Sequence, residues 1–232
     1  MKSAGGALPE VHAQNEALCV AYHPRVLFDW PEHRAALSVW QRMLPTALSA
    51  AADELAAVDQ PADFRADWIA GTGDQVTASD LIAGLAAFNP ASSPWTLTHL
   101  ADDALCLINI AESLASQLKT QLHSPKLSVR IERVIGDGCR LFHVDRLCAR
   151  LICTWTGAGT EWLPEGSFDR SGLGCGCNDH VLNLGATRQI PTGAVALLRG
   201  DACQGQEGAG LVHRSPPGRP GRARLLIAVD LR

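Results

Sequence analysis

Aromatic and thioether side chains are scarce: 232 residues hold one tyrosine and two methionines. The basic run from Arg214 to Arg224 contains no aromatic residue at all, so it lacks the stacking platform that single-stranded nucleic acid needs. Positive charge is not in excess either. The formal net charge of -4 argues against a surface built to grip phosphate backbones. No apolar run approaches the length of a membrane span. The opening Met1-Lys2-Ser3-Ala4-Gly5-Gly6 has neither the basic start nor the apolar core of a secretory signal. Eight cysteines stand at positions 19, 106, 139, 148, 153, 175, 177 and 203, with no CxxC pair among them. Also missing are a glycine loop ending in Lys-Ser/Thr and a GxSxG elbow. These absences point to a cytoplasmic protein with reduced thiols, and to neither a nucleic acid nor a membrane as partner.

What is present is enough apolar material for a core: 47% hydrophobic residues against 19% charged. Residues 1–22 show no clear period and read as a loose leader. Residues 23–124 read as mainly helical. Thr46 is the expected cap of a helix over Ala47 to Val58, and Ser79-Asp80 open another through Phe88. The clearest helix is expected from Thr98 to Leu122. Its apolar row is Leu100, Ala104, Leu107, Ala111, Leu114 and Leu118, and Asp102, Asp103 and Lys119 suit its dipole. Ser124-Pro125 would stop it.

From there the period drops to two, and residues 125–232 read as antiparallel β. Leu127, Val129 and Ile131 alternate with polar residues, as do Leu147, Ala149, Leu151, Cys153 and Trp155. Ala194 to Leu198 and Leu225 to Val229 are two further strands. The expected class is α+β, with helices covering one face of a sheet in a single compact unit.

Within the β half, His143 and Asp145 stand two apart, so an extended chain aims both side chains the same way. His213 is a third donor, just before a turn and a strand. Two histidines and one carboxylate on one side of an ion leave its opposite positions open, the donor set of non-haem Fe(II) oxygenases. A bland reading competes, since a histidine beside an aspartate in a β-protein is often only a hydrogen-bonded pair. Cys175-Gly176-Cys177 with His180 reads as a flexible glycine-rich loop rather than a second thiolate site or a redox pair. Cys139, Cys148 and Cys153 read as small core residues, Trp162 as a packing residue and Glu161 as a candidate for the mouth of the site.

The order HxD, distant His, then Arg resembles the 2-oxoglutarate-dependent Fe(II) dioxygenases, which fold as a double-stranded β-helix (a jelly-roll or cupin-like barrel). That resemblance implies iron on His143, Asp145 and His213. It implies Arg224 on the far carboxylate of 2-oxoglutarate, with Arg222, of the same strand parity, as the alternative. A small molecule or a protein side chain would be the substrate.

A closer resemblance runs through five blocks: Phe142-His143-Val144-Asp145, Gly159-Thr160-Glu161-Trp162-Leu163, Gly193 to Gly200, His213-Arg214-Ser215-Pro216-Pro217 and Arg224-Leu225-Leu226. In that order they look like the bacterial domain-of-unknown-function family eighteen-twenty-six, which has no established reaction. The resemblance implies a gene neighbourhood, for some members, beside zinc-homeostasis genes, which leaves zinc beside iron as the metal. It also leaves a second expectation, a cupin-like metal-binding protein without turnover that serves zinc or iron handling. Such a protein would close its coordination sphere with another ligand, for which Cys175 or His180 are candidates.

Overall fold

A computed structural model describes residues 18–30, 35–118, 125–203 and 207–232. Its N-terminal half is not purely helical. It holds strands β1 (Leu18–Ala21), β2 (Leu37–Trp40) and β3 (Ala62–Ile69) among helices α1 (Arg25–Phe28), α2 (Thr46–Ala56), α3 (Ala78–Ala86) and α4 (Pro94–Gln117). The C-terminal half supplies β4 (Lys126–Val134), β5 (Ala149–Thr156), β6 (Glu161–Trp162) and β7 (Arg188–Gln189). It continues with β8 (Val195–Arg199), β9 (His213–Arg214) and β10 (Arg224–Leu231).

Two sheets result. The larger runs β1-β2-β8-β5-β10-β4-β3 and is antiparallel except for the β1/β2 pair. The smaller runs β7-β6-β9, also antiparallel. The large sheet is covered on both faces except along its β3 edge, where Asp63, Arg65, Asp67 and Ile69 are exposed, and β10 in its interior is buried at every residue. One face carries Val129, Ile131, Leu151, Trp155, Ile227 and Val229 into a core shared with α2, α3 and α4. The other carries Ile152, Leu226, Ala228, Ala196 and Leu198 against Trp162, Ile190 and Leu211 of the smaller layer. Side chains alternate faces along each strand, so Arg224, Leu226, Ala228 and Asp230 share this second face of β10 with Arg150 of β5. Charged groups therefore stand at both ends of an apolar inter-sheet floor.

The apolar row of α4 lies buried as its spacing requires, but the helix starts four residues earlier than Thr98. Pro94 sits in its first turn, where a missing N–H costs nothing, and Ser93 Oγ accepts from Thr96 N at 3.1 Å. Its expected end at Leu122, with Lys119 and Ser124, lies outside the described residues. Starting at Pro94 puts Asp103 in mid-helix, so it serves no dipole. Arg42 instead grips it with two bonds of 2.6 and 2.7 Å, and Trp155 Nε1 donates to it at 2.7 Å. This buried pair ties α4 to the sheet. Helix α2 begins at Thr46 itself, with Pro45 as the flanking residue and no side-chain cap. Helix α3 is closed by a capping box between Thr77 and Asp80.

The thiols differ from expectation. Cys148 and Cys203 are joined by a disulfide, as are Cys175 and Cys177. Cys153 is a free core thiol, whose pKa burial pushes up to about 12, while Cys139 is exposed. The expectation of reduced thiols rested on the lack of a signal sequence and of a CxxC pair, whereas Cys148, in the core as expected, meets its partner because the chain after β8 runs back alongside residues 145–148. Among the described residues no helix is long and apolar enough to cross a membrane.

Candidate metal centre

The site grows from one backbone pairing. His143, between β4 and β5, and His213, on β9, exchange both backbone hydrogen bonds, at 3.0 and 2.9 Å. Directly opposed residues of an antiparallel pair project side chains to the same side. The imidazole centroids accordingly lie 4.6 Å apart. Trp162 is the other neighbour of His213, in β6, and packs into the inter-sheet core.

Each ring is oriented the same way. His143 Nδ1 lies 2.8 Å from the carbonyl of Leu141, and His213 Nδ1 lies 3.0 Å from that of Leu211. A carbonyl can only accept, so each Nδ1 carries a proton, and each ring, once neutral, offers its Nε2 lone pair. Both Nε2 atoms face Asp145: His143 Nε2 is 3.6 Å from Oδ1, and His213 Nε2 is 3.4 Å from Oδ2. The ligand atoms of His143, Asp145 and His213 all lie within 4.8 Å of one another, the only such group of three among the described residues. The ligand set expected from sequence is thus brought together. His213 is nearly sealed, at 5% side-chain exposure, while His143 is open to solvent at 31%.

Electrostatics fit a cation. Burial alone would raise the Asp145 carboxyl, but hydrogen bonding toward His143 and His213, with the charge of Arg150, holds it well below the usual carboxylate range. The Asp145 carboxylate in turn raises His143 above its ordinary value, against the effect of burial. Arg150, which no local pattern singles out, places Nη1 2.7 Å from Asp145 Oδ2. By distance this is an ion pair, although Oδ2 has no hydrogen bond of good angle.

Arg224 is buried, with 5% of its surface exposed. Its Nε donates to Ala158 O at 2.6 Å, and its Nη1 is buried without a partner. Burial pushes its pKa down to about 10, despite the nearby carboxylates of Glu132 and Glu161. It lines a cavity of about 320 Å³ with Gly157, Ala158, Gln189, Thr192 and Arg222. Arg222 differs: it lies outside β10 and is exposed. Glu161 is engaged by Arg214 at 2.8 Å.

The residues considered for a closed sphere do not join the three ligands. Cys175 is bonded to Cys177 in an exposed turn, and His180 is buried behind Gly172. Asn178 of this loop accepts from Phe142 N at 2.9 Å, so the loop braces the residue before His143.

Among solved structures, the chain overlaps a putative 2OG-Fe(II) oxygenase family protein from Caulobacter crescentus at TM-score 0.46 and 12% identity, covering 93% of this chain and 85% of that one. A rice dioxygenase for auxin oxidation overlaps at TM-score 0.45 and 13% identity, over 85% and 73% of the two chains. For a Pseudomonas putida prolyl-4-hydroxylase the values are 0.43 and 12%, over 90% and 97%. No curated protein matches the sequence. A family model does match, over residues 21–230, and the chain therefore belongs to the family described as Protein of unknown function (DUF1826).

Proposed function

We propose that the protein is a mononuclear metal oxygenase that holds Fe(II) on His143, Asp145 and His213 and uses 2-oxoglutarate as co-substrate. The two facing sheets are, in this reading, a double-stranded β-helix. One observation carries the proposal: two imidazoles with their Nδ1 protons tied to carbonyls turn their Nε2 atoms onto one carboxylate. Two nitrogens and one oxygen suit iron, and three protein ligands leave positions for an oxo acid and O₂. The metal, when bound, supplies the activation of O₂ and the oxidation of a small-molecule or protein side-chain substrate.

The chain's own residues do the rest. Arg224 has one guanidinium corner buried and unpartnered, which a ligand carboxylate would satisfy with a charge-assisted bond. Leu226, Ala228, Ile152 and Trp162 pack in the apolar layer between the two sheets, and the cavity at Arg224 is lined by none of the three ligands. A non-catalytic carrier of zinc or iron would need a closed sphere, and no fourth His, Cys, Asp or Glu joins the group among the described residues.

Metal analysis of anaerobically purified protein tests the site. Wild type is expected to retain iron and His143→Ala to lose it, and equal content in both would count against the ligand set. Succinate formation from 2-oxoglutarate tests the chemistry, with Arg224→Ala as control. The variant is expected to keep its metal and lose at least about tenfold in 2-oxoglutarate affinity, since a buried charged hydrogen bond is lost. Iron-loaded wild type that neither binds nor consumes 2-oxoglutarate would leave the carrier reading standing.

A further inference from the structure

Asp230 is the anomaly of β10: a carboxylate 3% exposed at its side chain, in a strand that is otherwise apolar between its charged ends. A charge buried that deeply is retained only if it is firmly paired. Its main partner is Arg150, directly across the ladder on β5, and Arg232 Nη2 also donates to its Oδ2 at 3.2 Å. Arg150 Nε donates to Asp230 Oδ1 at 2.6 Å and Nη2 to Oδ2 at 3.0 Å. Two parallel bonds fix the plane of a guanidinium, so the remaining corner, Nη1, cannot swing. That corner is the one placed 2.7 Å from Asp145 Oδ2.

We infer that Arg150, clamped by Asp230, is a positioning residue that keeps Asp145 a one-oxygen ligand and so preserves the open coordination positions of the metal. The inference rests on the proposed metal site. A carboxylate can ligate through one oxygen or both, and the choice decides how many positions remain for exogenous ligands. Oδ1 is free of other close charged partners except His143. Oδ2 lies 2.7 Å from the guanidinium Nη1, which competes with a cation for it, and 3.4 Å from His213 Nε2. The pairing also bears on an electrostatic objection: an arginine beside a metal ligand opposes a cation, and Asp230, which pairs with Arg232 as well, offsets part of that charge. Arg150→Lys keeps the charge and cannot form the planar fork, which separates orientation from electrostatics.

The test counts waters on bound Mn(II), by the broadening of its EPR lines in ¹⁷O-enriched water. A six-coordinate ion with three protein atoms holds about three waters. Wild type is expected to show about three, and Arg150→Lys about two, because Asp145 is released to bind through both oxygens. The double variant Arg150→Met/Asp230→Asn removes both buried charges together, which avoids stranding either one. It is expected to match Arg150→Lys. Saturating Mn(II) should still fill all three proteins. If both variants bind Mn(II) and retain about three waters, the clamp is overturned while the metal site stands. If wild type binds no Mn(II), the metal site fails and the clamp with it. A lost water in the double variant alone would assign the effect to charge rather than to the fork, and would also overturn the inference.

Discussion

At His143 a proton and a metal ion compete for one lone pair. The Asp145 carboxylate raises the pKa of this imidazole, with a smaller contribution from the Leu141 carbonyl, against burial. A raised value means that a proton must leave Nε2 before an ion can enter. Metal affinity is therefore expected to climb as pH increases through the range above about 6.5, and to level once the ring is neutral. The metal-free protein should behave the opposite way. A histidine with a raised folded pKa contributes stability that is complete below about 6.5 and is lost as pH rises through the folded value. Calorimetric titration at pH 7 in buffers of different ionisation heat checks the first expectation by counting protons released per ion. A count of zero, with affinity flat from pH 6 to 8, would contradict the assignment. Asp145 sets the lower boundary: its depressed pKa keeps it charged until the pH falls well below the ordinary carboxylate range.

Elements were legible from the sequence where their repeat was long enough to show. Helix α4 announced itself through six apolar positions, all of them buried. Strands β4, β5 and β10 showed either alternation or a continuous apolar run. Strands β1 and β2 have four residues each, and β6, β7 and β9 have two, too few for any period. Strand β3 does alternate, Phe64, Ala66 and Trp68 against Asp63, Arg65 and Asp67, yet it is an edge strand that pairs only with β4 and its burial is partial. The short elements nonetheless hold the site, through backbone contacts that leave no mark in composition. Gly200 N donates to Cys148 O at 3.0 Å and Asp201 N to Asp145 O at 2.9 Å. A side chain at Gly200 would overlap Leu147 O and come within 2.8 Å of Asp145 O. Gly200→Ala is therefore expected to displace the backbone carrying Asp145 and weaken metal binding about tenfold or more, the usual effect of disturbing a ligand's support. Equal affinities by competition with a metal indicator would show that this segment yields without moving the carboxylate.

For the whole molecule, the donor set was readable because HxD parity is local and His213 could be proposed from its place before the last strand. Arg150 and Asp230 were not, since their meeting depends on the register between β5 and β10, which no single stretch of sequence encodes. The same long-range assembly would give a bound metal a thermodynamic role. His143 and Asp145 precede β5, whereas His213 follows β8, and the ligands converge only when the two sheets face each other. An unfolded chain presents them separately, so an ion binds the native state preferentially and stabilises it by mass action. At a free metal concentration one hundred times Kd, the gain is about 2.7 kcal/mol. For a chain of this length that corresponds to a rise in Tm of roughly 5–10 °C. His213→Ala should abolish the rise, because its ring supplies one ligand from the sealed side of the site. Arg224→Ala should lower the metal-free Tm or leave it unchanged, yet retain the full metal-dependent increment, because it touches no ligand. Differential scanning calorimetry with and without metal separates these effects. A metal-dependent increment in His213→Ala equal to that of wild type would mean that the ion binds elsewhere, and that the two sheets converge for packing alone.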